Sequence, residues 1–223
     1  GKLMLPGFTD SHLHLLLGGY TLTDIDVRNT KSKMEFQNKI KVYSESNDNS
    51  CYKGGGWDHT SFENKMLPDK GWIDEVIFDK PVFLMRMDYH IGLANSKALQ
   101  IAGISAESDN PRGGVIDRNP DTNEPTGILR ESAMELVLNA MPEYSKYEKI
   151  NALKEALEIL KKNGITSVHD ISMKDDFQLF ESFLEKEKLT CRINSISLID
   201  DITDFSKVQI KNSRALDPGT AVK

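Results

Sequence analysis

The sequence predicts a mixed α/β fold that contains a parallel sheet or barrel. From residue 144 onward the pattern runs helix, strand, helix, strand with connections of two to four residues, which is the order found in parallel sheets and barrels. Near the start, an apolar run ends at Pro6-Gly7 and leads into His12 and His14. A length of 223 residues with 39% apolar side chains is enough for a substantial core.

The first hundred residues predict a strand that ends in the two histidines, followed by further strands and helices. Asn95 is expected to cap a short helix, and the run of glycines at residues 54–56 is expected to break the chain. The predicted elements are strands at residues 22–28 and 81–87, and helices at residues 31–46 and 96–102.

The second hundred residues predict a hairpin and then an alternation of helices and strands. Residues 111–128 favour a hairpin because β-forming pairs flank a turn rich in Pro, Asn and Asp. Asn163-Gly164 is a helix-stop signal. The predicted elements are helices at residues 130–141, 149–162 and 175–188, and strands at residues 165–172 and 191–199.

Composition narrows the function classes. The net charge is −6, the pI is about 5.4 and the sequence has no Lys/Arg-rich run. We therefore expect neither a nucleic-acid partner nor attraction to a membrane, and we expect the substrate to be a small molecule. Cys51 and Cys191 lie far apart and suggest reduced thiols rather than a disulfide framework. With neither a signal peptide nor a long apolar run visible, a cytoplasmic location is expected.

The His12-Leu13-His14 spacing is the strongest local signal for chemistry. Alternate residues of a strand share a face, so both imidazoles can reach one point in space. Neutral imidazole is a common ligand of zinc and related divalent metals. The alternative is a pair of surface histidines at a strand end, and the spacing alone does not decide between the two. Asp10 is expected to orient a neighbour or cap the chain.

Four motifs in order resemble the amidohydrolase superfamily, within it the YtcJ-like, amidohydrolase-3 group that includes N-substituted formamide deformylases. The resemblance covers about residues 2–200. It rests on PGFTDSHLH, similar to the family's first barrel strand, and then on GGWDH, KPVFLMRMDYHIGLANSKAL with PRGGVIDRNPDTNEPTGILRE, and GITSVHD.

The resemblance implies a fold and a chain organisation. We expect part of a (β/α)₈ TIM-type barrel, with an α+β insertion at about residues 20–143 and barrel strands continuing over residues 144–205. The family's β-sandwich domain and later barrel strands, which carry further ligands, have no counterpart in this sequence, so we expect a fragment covering the first half of a barrel. Lys211 is a weak counterpart of the family's bridging ligand.

The resemblance also implies roles for individual residues. His12 and His14 correspond to the first two metal ligands, for one or two divalent ions, with zinc expected. The remaining candidates divide into catalytic residues, namely Glu131, His169 and Asp170, and substrate-binding residues, namely Trp57, Asp88, His90 and Asn95.

Each of these candidates has a structural alternative. His90 could be a buried histidine satisfied by Asp88, and His169 could pair with Asp170. Glu131 could be an acid at a helix N-terminus, and Trp57 could be a core residue.

The implied activity is metal-assisted hydrolysis of an amide-type or formamide-type C–N bond. In such a reaction the metal activates a water molecule and polarises the scissile carbonyl. The sequence has no G-x-S-x-G, P-loop, H-E-x-x-H or G-x-G-x-x-G motif, which excludes the common serine hydrolase, nucleotide-binding and zincin classes. The alternative is a non-catalytic fragment that associates with copies of itself through exposed strand edges.

Overall fold

The structure is a computed structural model that describes residues 3–172, 176–197 and 215–216. The chain divides into two compact units. The first unit comprises Gly1–Thr23 and Tyr144–Lys223, and the second comprises Asp24–Glu143. Each unit has its own sheet and its own core, and the fold is mixed α/β.

The described elements alternate between strands and helices along most of the chain. The strands are β1 Phe8–Leu13, β2 Ile25–Asp26, β3 Tyr52–Trp57, β4 Val82–Arg86, β5 Ile91–Ala94, β6 Gly114–Arg118, β7 Pro125–Glu131, β8 Ile165–Ser172, β9 Arg192–Ser197 and β10 Ala215–Leu216. The α-helices are α1 Leu15–Thr23, α2 Lys33–Ser46, α3 Gly71–Asp74, α4 Ser96–Ile101, α5 Ala133–Ala140, α6 Lys146–Lys162 and α7 Asp176–Glu185, with a 3₁₀ helix at His59–Ser61.

The sheet of the first unit has the strand order β1-β8-β9-β10. β1 pairs with β8, and β8 with β9, in parallel, whereas the short β10 is antiparallel to β9. One side of this sheet packs against α1, α6 and α7 through a core that includes Leu16, Leu153, Leu157, Val168 and Phe180. The helices thus cover one face of the parallel strands, as in α/β proteins generally.

The local sequence explains the best-predicted elements of this unit. Ser145 and Glu148 form a capping box that starts α6, since each side chain accepts a hydrogen bond from the other residue's backbone N–H. α6 ends at the Asn163-Gly164 stop, where Gly164 has φ +71°. The following strand, β8, covers the residues that the sequence predicted, Ile165–Ser172.

The second unit contains a six-stranded mixed sheet with the order β2-β3-β4-β5-β7-β6. β2, β3 and β4 are parallel, and the remaining pairs are antiparallel, including the predicted hairpin of β6 and β7. Two buried clusters lie in this unit; one contains Phe36, Trp57, Trp72 and Leu84. Neither described sheet closes on itself.

Two local predictions for the first hundred residues need correction. The strand predicted at residues 22–28 is replaced by the last turn of α1 and the two-residue strand β2. The glycines at residues 54–56 do not break the chain; they lie within β3, where a Cβ on Gly55 would come within 2.0 Å of the Met85 carbonyl oxygen. Their φ values are also positive, from +85° to +145°, so glycine allows β3 to lie closely against its neighbours.

The helix predicted from residue 130 begins at Ala133, because β7 extends to Glu131. Glu131 therefore lies outside the helix, directly before its N-cap residue Ser132. Glu131 closes a strand instead, with φ +51°.

Two tyrosines of the first unit form a stacked pair. Tyr20, in the last turns of α1, and Tyr144, which precedes the capping box of α6, have ring centroids 3.8 Å apart and planes inclined by 8°. The stack therefore joins the segment that leads into the second unit to the segment that follows it.

Within the described ranges, no helix combines the length and the apolar character that crossing a membrane requires. Cys51 and Cys191, both inside these ranges, are buried and form no disulfide. Burial raises the pKa of the Cys191 thiol to about 11, which keeps it protonated.

Adjacent glycines in α1 should respond oppositely to alanine substitution. A Cβ on Gly19 would lie 2.3 Å from the Ala152 carbonyl oxygen of α6, whereas a Cβ on Gly18 would meet no atom within 4 Å. We expect Gly19→Ala to lower the free energy of unfolding by about 1–3 kcal/mol through overpacking. Gly18→Ala is the matched control and should raise it by up to about 1 kcal/mol through helix propensity. Urea denaturation measures both, and equal losses would contradict the packing of α1 on α6.

Candidate functional site

The predicted site residues fall in both units. Four of them, His12, His14, His169 and Asp170, belong to the first unit. The other five, Trp57, Asp88, His90, Asn95 and Glu131, belong to the second.

The two histidines of the first unit lie at the end of β1. His12 is in the strand and His14 follows its last residue, Leu13. Their ring centroids are 5.7 Å apart with planes inclined by 71°, and both residues are exposed. Leu13 pairs with Asp170 and packs toward the helix-covered core, beyond a register shift in β1 between Asp10 and Leu13, whereas the imidazoles on either side of it are exposed.

Asp10 supports this arrangement from the same strand. Its Oδ1 accepts a hydrogen bond from the backbone N–H of His12 at 3.0 Å. The carboxylate therefore fixes the backbone that carries the first imidazole, the orienting role expected from the sequence.

The donor chemistry of His12 and His14 fits two ligands of a divalent metal site. Imidazole nitrogens suit zinc and the neighbouring first-row metals. Across the residues that the structure describes, no group of three or more His, Cys, Asp or Glu side chains is placed to hold a metal ion. The two histidines thus fit as part of the set of ligands that a divalent metal ion requires. Lys211, the weak candidate for a bridging ligand, lies outside the described residues.

His169 and Asp170 are neighbours in β8 but point to opposite faces of the sheet. His169 is half-buried on the face opposite the helices, where it pairs in register with Asn194 of β9. Asp170 is 1% exposed and shares the helix-covered face with Val168. The alternative in which His169 pairs with Asp170 therefore does not fit the strand geometry.

The Asp170 carboxylate is occupied on both oxygens. Oδ1 accepts the backbone N–H of Leu15 at 2.6 Å, and Oδ2 accepts the hydroxyl of Ser172, which also hydrogen-bonds the Ser195 hydroxyl. Burial raises the pKa of Asp170, while the hydrogen bonds from Ser172 and Leu15 and the nearby His14 act in the opposite direction. These contacts describe a carboxylate that holds protein structure rather than one that contacts a substrate.

Two of the predicted substrate-binding residues in the second unit are completely buried. Trp57 is 0% exposed and its indole Nε1–H donates to the Leu84 carbonyl at 2.8 Å. Asn95 is also 0% exposed; its Oδ1 accepts the N–H groups of Val82 and Ala98, and its Nδ2 donates to two backbone carbonyls. Because neither side chain has accessible surface or unused hydrogen-bonding capacity, both are structural residues here.

The three remaining candidates in the second unit, Asp88, His90 and Glu131, belong to a chain of polar contacts. We call this chain the strand-end cluster; its members are Asp58, His59, Arg86, Asp88, His90 and Glu131. Arg86, at the end of β4, lies 3.0 Å from Asp88 and 3.6 Å from Asp58. Asp88 Oδ1 accepts the backbone N–H of His90 at 3.1 Å. The Asp88 side chain thus contacts the His90 backbone but does not satisfy its imidazole.

The His90 imidazole contacts Glu131 instead. Its Nδ1 lies 3.1 and 3.2 Å from the two Glu131 carboxylate oxygens, and both side chains are exposed. The hydrogen bond that the His90 Nδ1–H donates to Glu131, together with the charges of Glu131 and Asp88, raises the pKa of His90. The histidine is therefore more protonated near neutral pH than an ordinary one, and its Nε2 is not engaged by Glu131.

The backbone at this contact is strained on both sides. Glu131 has φ +51° and Tyr89, which precedes His90, has φ +64°. Residues other than glycine seldom have a positive φ, and those that do cluster at functional sites. The strain marks the His90–Glu131 contact as the most distinctive feature of the second unit.

Sequence reasoning missed two members of the strand-end cluster, His59 and Arg86, and left Asp58 unassigned. Arg86 is the last residue of β4, so its position at a strand end was a usable signal. His59 Nδ1 and Arg86 Nε are buried atoms for which no hydrogen-bond partner exists within the described residues. Polar atoms of this kind have capacity for a ligand or water.

A family comparison accounts for nearly the whole chain. A model described as the amidohydrolase family matches residues 1–221. Among solved structures, an uncharacterized metal-dependent hydrolase from Pyrococcus horikoshii superposes on 86% of this chain with a TM-score of 0.65 and 26% identity. The match covers 36% of that protein.

Curated relatives extend the comparison to plants and bacteria. LONG AFTER FAR-RED 3 of Arabidopsis thaliana is 41% identical over 77% of this chain and 29% of its own length. YtcJ of Bacillus subtilis is 35% identical over 83% of this chain and 36% of its own. The N-substituted formamide deformylase of Arthrobacter pascens is 31% identical over 63% of this chain and 26% of its own. The chain spans about a third or less of the length of these relatives.

The His90–Glu131 contact predicts a measurable titration. We expect Glu131→Gln to lower the pKa of His90 toward its ordinary value near 6.5, because the charge that favours the imidazolium is removed. Asp88→Asn is the matched control and should lower the pKa less, since Asp88 is the weakest of these influences. NMR titration of the His90 ring at low salt measures both shifts.

The same contact fixes the sign of the stability change. Folding raises the pKa of His90, so the protonated ring adds to the free energy of unfolding. This contribution is fully present below the pKa of the unfolded chain and is lost as the pH rises through the pKa of the folded protein. An unchanged His90 titration in Glu131→Gln would contradict the contact.

Proposed function

The chain belongs to the amidohydrolase family, and on this premise we propose that it forms part of the active site of a metal-dependent hydrolase of amide-type or formamide-type C–N bonds. The observation that carries the proposal is the pair of exposed imidazoles at the end of β1, with ring centroids 5.7 Å apart. The name of the Arthrobacter pascens relative supports formamides as a substrate class.

We infer that the first unit is part of a (β/α)₈ barrel into which the second unit is inserted. The parallel order β1-β8-β9, with α6 and α7 covering one face, supports this interpretation. In such barrels the active site lies at the carboxyl ends of the strands. His14 follows the carboxyl end of β1, and His169 lies near that of β8.

His12 and His14 would hold the metal, a divalent ion for which zinc is the expected identity, in a site of one or two ions. When bound, such an ion lowers the pKa of a water molecule and polarises a carbonyl. Asp10 fixes the backbone of His12 for this purpose through the hydrogen bond to its N–H. We assign to His169, which lies on the face of the sheet opposite the helices, either contact with the substrate or proton transfer at a ring nitrogen.

In the second unit, Glu131 and His90 are assigned to proton transfer and substrate binding. Glu131 holds Nδ1 of His90, which leaves the Nε2–H of a protonated ring as a hydrogen-bond donor for a polar ligand. Asp88 fixes the His90 backbone and pairs with Arg86. The exposed and charged character of this group fits a small polar substrate.

A cytoplasmic location and a small-molecule substrate, without nucleic acid or membrane, complete the proposal. Two buried cysteines that form no disulfide support a reducing compartment.

A non-catalytic module that associates with copies of itself is the alternative function. β1 is an edge strand of the described sheet, and the apolar residues Leu3, Met4 and Phe8 at or before it are 84%, 93% and 65% exposed. Apolar surface beside an open strand edge favours association. Sedimentation of the chain with and without zinc distinguishes a zinc-binding monomer from a zinc-independent oligomer.

The main prediction concerns zinc binding. In equilibrium dialysis we expect the chain to take up Zn²⁺, and we expect the double variant His12→Ala, His14→Ala to lose that uptake, because both proposed imidazole ligands are removed. Variant Glu155→Ala, which removes an exposed carboxylate of α6, is the control and should bind as the unsubstituted chain does. Elemental analysis of the dialysed protein gives the zinc content per chain.

Hydrolysis of N-substituted formamides and simple amides by the zinc-loaded chain is the companion measurement. Turnover that requires zinc and disappears in the double variant supports the proposal. Equal zinc content in the unsubstituted chain and the double variant, or turnover without metal, contradicts it.

A further inference from the structure

The turn between β1 and α1 carries His14 and needs a cap. His14 lies between Leu13, the last residue of β1, and Leu15, the first residue of α1. The first amides of a helix lack partners within the helix and are usually capped by a Ser, Thr, Asp or Asn side chain just before it. His14 occupies that position, and the first turn of α1 contains no acidic residue.

The cap comes from another strand. Asp170 of β8, 155 residues away in sequence, accepts the Leu15 N–H at 2.6 Å. The pairing of Leu13 with Asp170 brings the carboxylate to this amide. A carboxylate at this point also interacts favourably with the helix dipole. The peptide on the carboxyl side of His14 is thereby fixed at its N–H, and the His14 carbonyl accepts the Gly18 N–H at 2.8 Å.

Asp170 is itself held in place by a chain of buried hydroxyls. Ser172 donates to its second oxygen and shares a hydrogen bond with Ser195 of β9. Asp170, Ser172 and Ser195 are 1%, 2% and 7% exposed. Both carboxylate oxygens are therefore used on the helix-covered face, which leaves neither of them to contact a substrate or a metal on the opposite face.

We propose that Asp170 is a positioning residue that holds the His14 imidazole in place through the Leu15 amide, a role that rests on the proposed metal-binding function of His14. It acts by accepting a hydrogen bond and not by transferring a proton. The sequence suggested a catalytic role for Asp170, whereas the structure places its side chain on the buried, helix-covered face of β8 with both oxygens hydrogen-bonded within the protein.

The two roles predict different outcomes for conservative substitution. In Asp170→Asn, the amide oxygen can still accept the Leu15 N–H, and the new NH₂ group can donate to Ser172, since Ser172 can in turn donate to Ser195. Asp170→Ala removes the cap entirely. A positioning role thus predicts that Asp170→Asn retains the His14 ring position and the Zn²⁺ affinity, whereas Asp170→Ala impairs both. A role in proton transfer or metal binding predicts that both variants are impaired.

The first readout needs no metal. In the NMR spectrum of the zinc-free chain, we expect Asp170→Ala to lose the slow hydrogen exchange of the Leu15 amide and to broaden or shift the His14 ring signals, while Asp170→Asn preserves both. Val168→Ala, in the same buried cluster as Leu15, is the control for general destabilisation: it should leave the His14 ring signals unchanged, and any loss of Leu15 protection that it shares with Asp170→Ala reports the lower stability of the core. Loss of Leu15 protection with an unaltered His14 ring would overturn the inference.

The second readout is Zn²⁺ affinity, followed through the His12 and His14 ring signals. We expect Asp170→Ala to weaken binding about tenfold, the scale seen when a residue supporting a metal ligand is removed. Asp170→Asn and Val168→Ala should keep most of the affinity. Equal weakening in Asn and Ala would overturn the positioning role. If the unsubstituted chain shows no Zn²⁺ response, the proposed metal function fails, while the zinc-free His14 readout still decides the role of Asp170.

Discussion

The parallel pairing of β1 with β8 is the constraint on which the candidate metal site depends. It joins segments more than 150 residues apart, with the second unit between them in sequence. The register places Leu13 beside Asp170, and this one pairing turns the imidazoles to one face and brings a capping carboxylate to the other. β1 reaches this pairing through register shifts between Phe8 and Thr9 and between Asp10 and Leu13, so the local register at the strand end determines which side chains can meet a metal.

Much of the first unit could be predicted from the sequence because its signals are local. The capping box at Ser145 and Glu148 and the Asn163-Gly164 stop define α6, and β-forming residues follow. α1 is different, since its sequence LLLGGYTLT has two glycines and two threonines of low helix propensity. Its helical form depends on packing against α6, with Gly19 allowing the close approach, and such tertiary support is not visible in the sequence.

The same limit applies to the glycines of β3. The sequence of these glycines by itself indicates flexibility and a chain break. In the folded protein, however, Cβ atoms on Gly54 and Gly55 would lie only 2.1 and 2.0 Å from the carbonyl oxygens of Ile25 and Met85. Which residues form the neighbouring strands decides whether a glycine run breaks a strand or allows close backbone packing.

For the candidate site, the sequence predicted residue types and their order but not the direction of every side chain. His12 and His14 are on one face as the spacing predicted, yet the adjacent His169 and Asp170 divide between the two faces. Trp57 and Asn95 fall in the core. A motif specifies order along the chain, whereas exposure depends on the layer to which each face packs.

The stacked rings of Tyr20 and Tyr144 bear on how the chain accommodates a second unit. They hold together the two points of the first unit between which residues 24–143 are inserted. A segment whose ends are already joined by its host closes a loop at a cost that grows slowly with length. The distance between the two ends of the second unit is therefore set within the first unit, at Tyr20 and Tyr144.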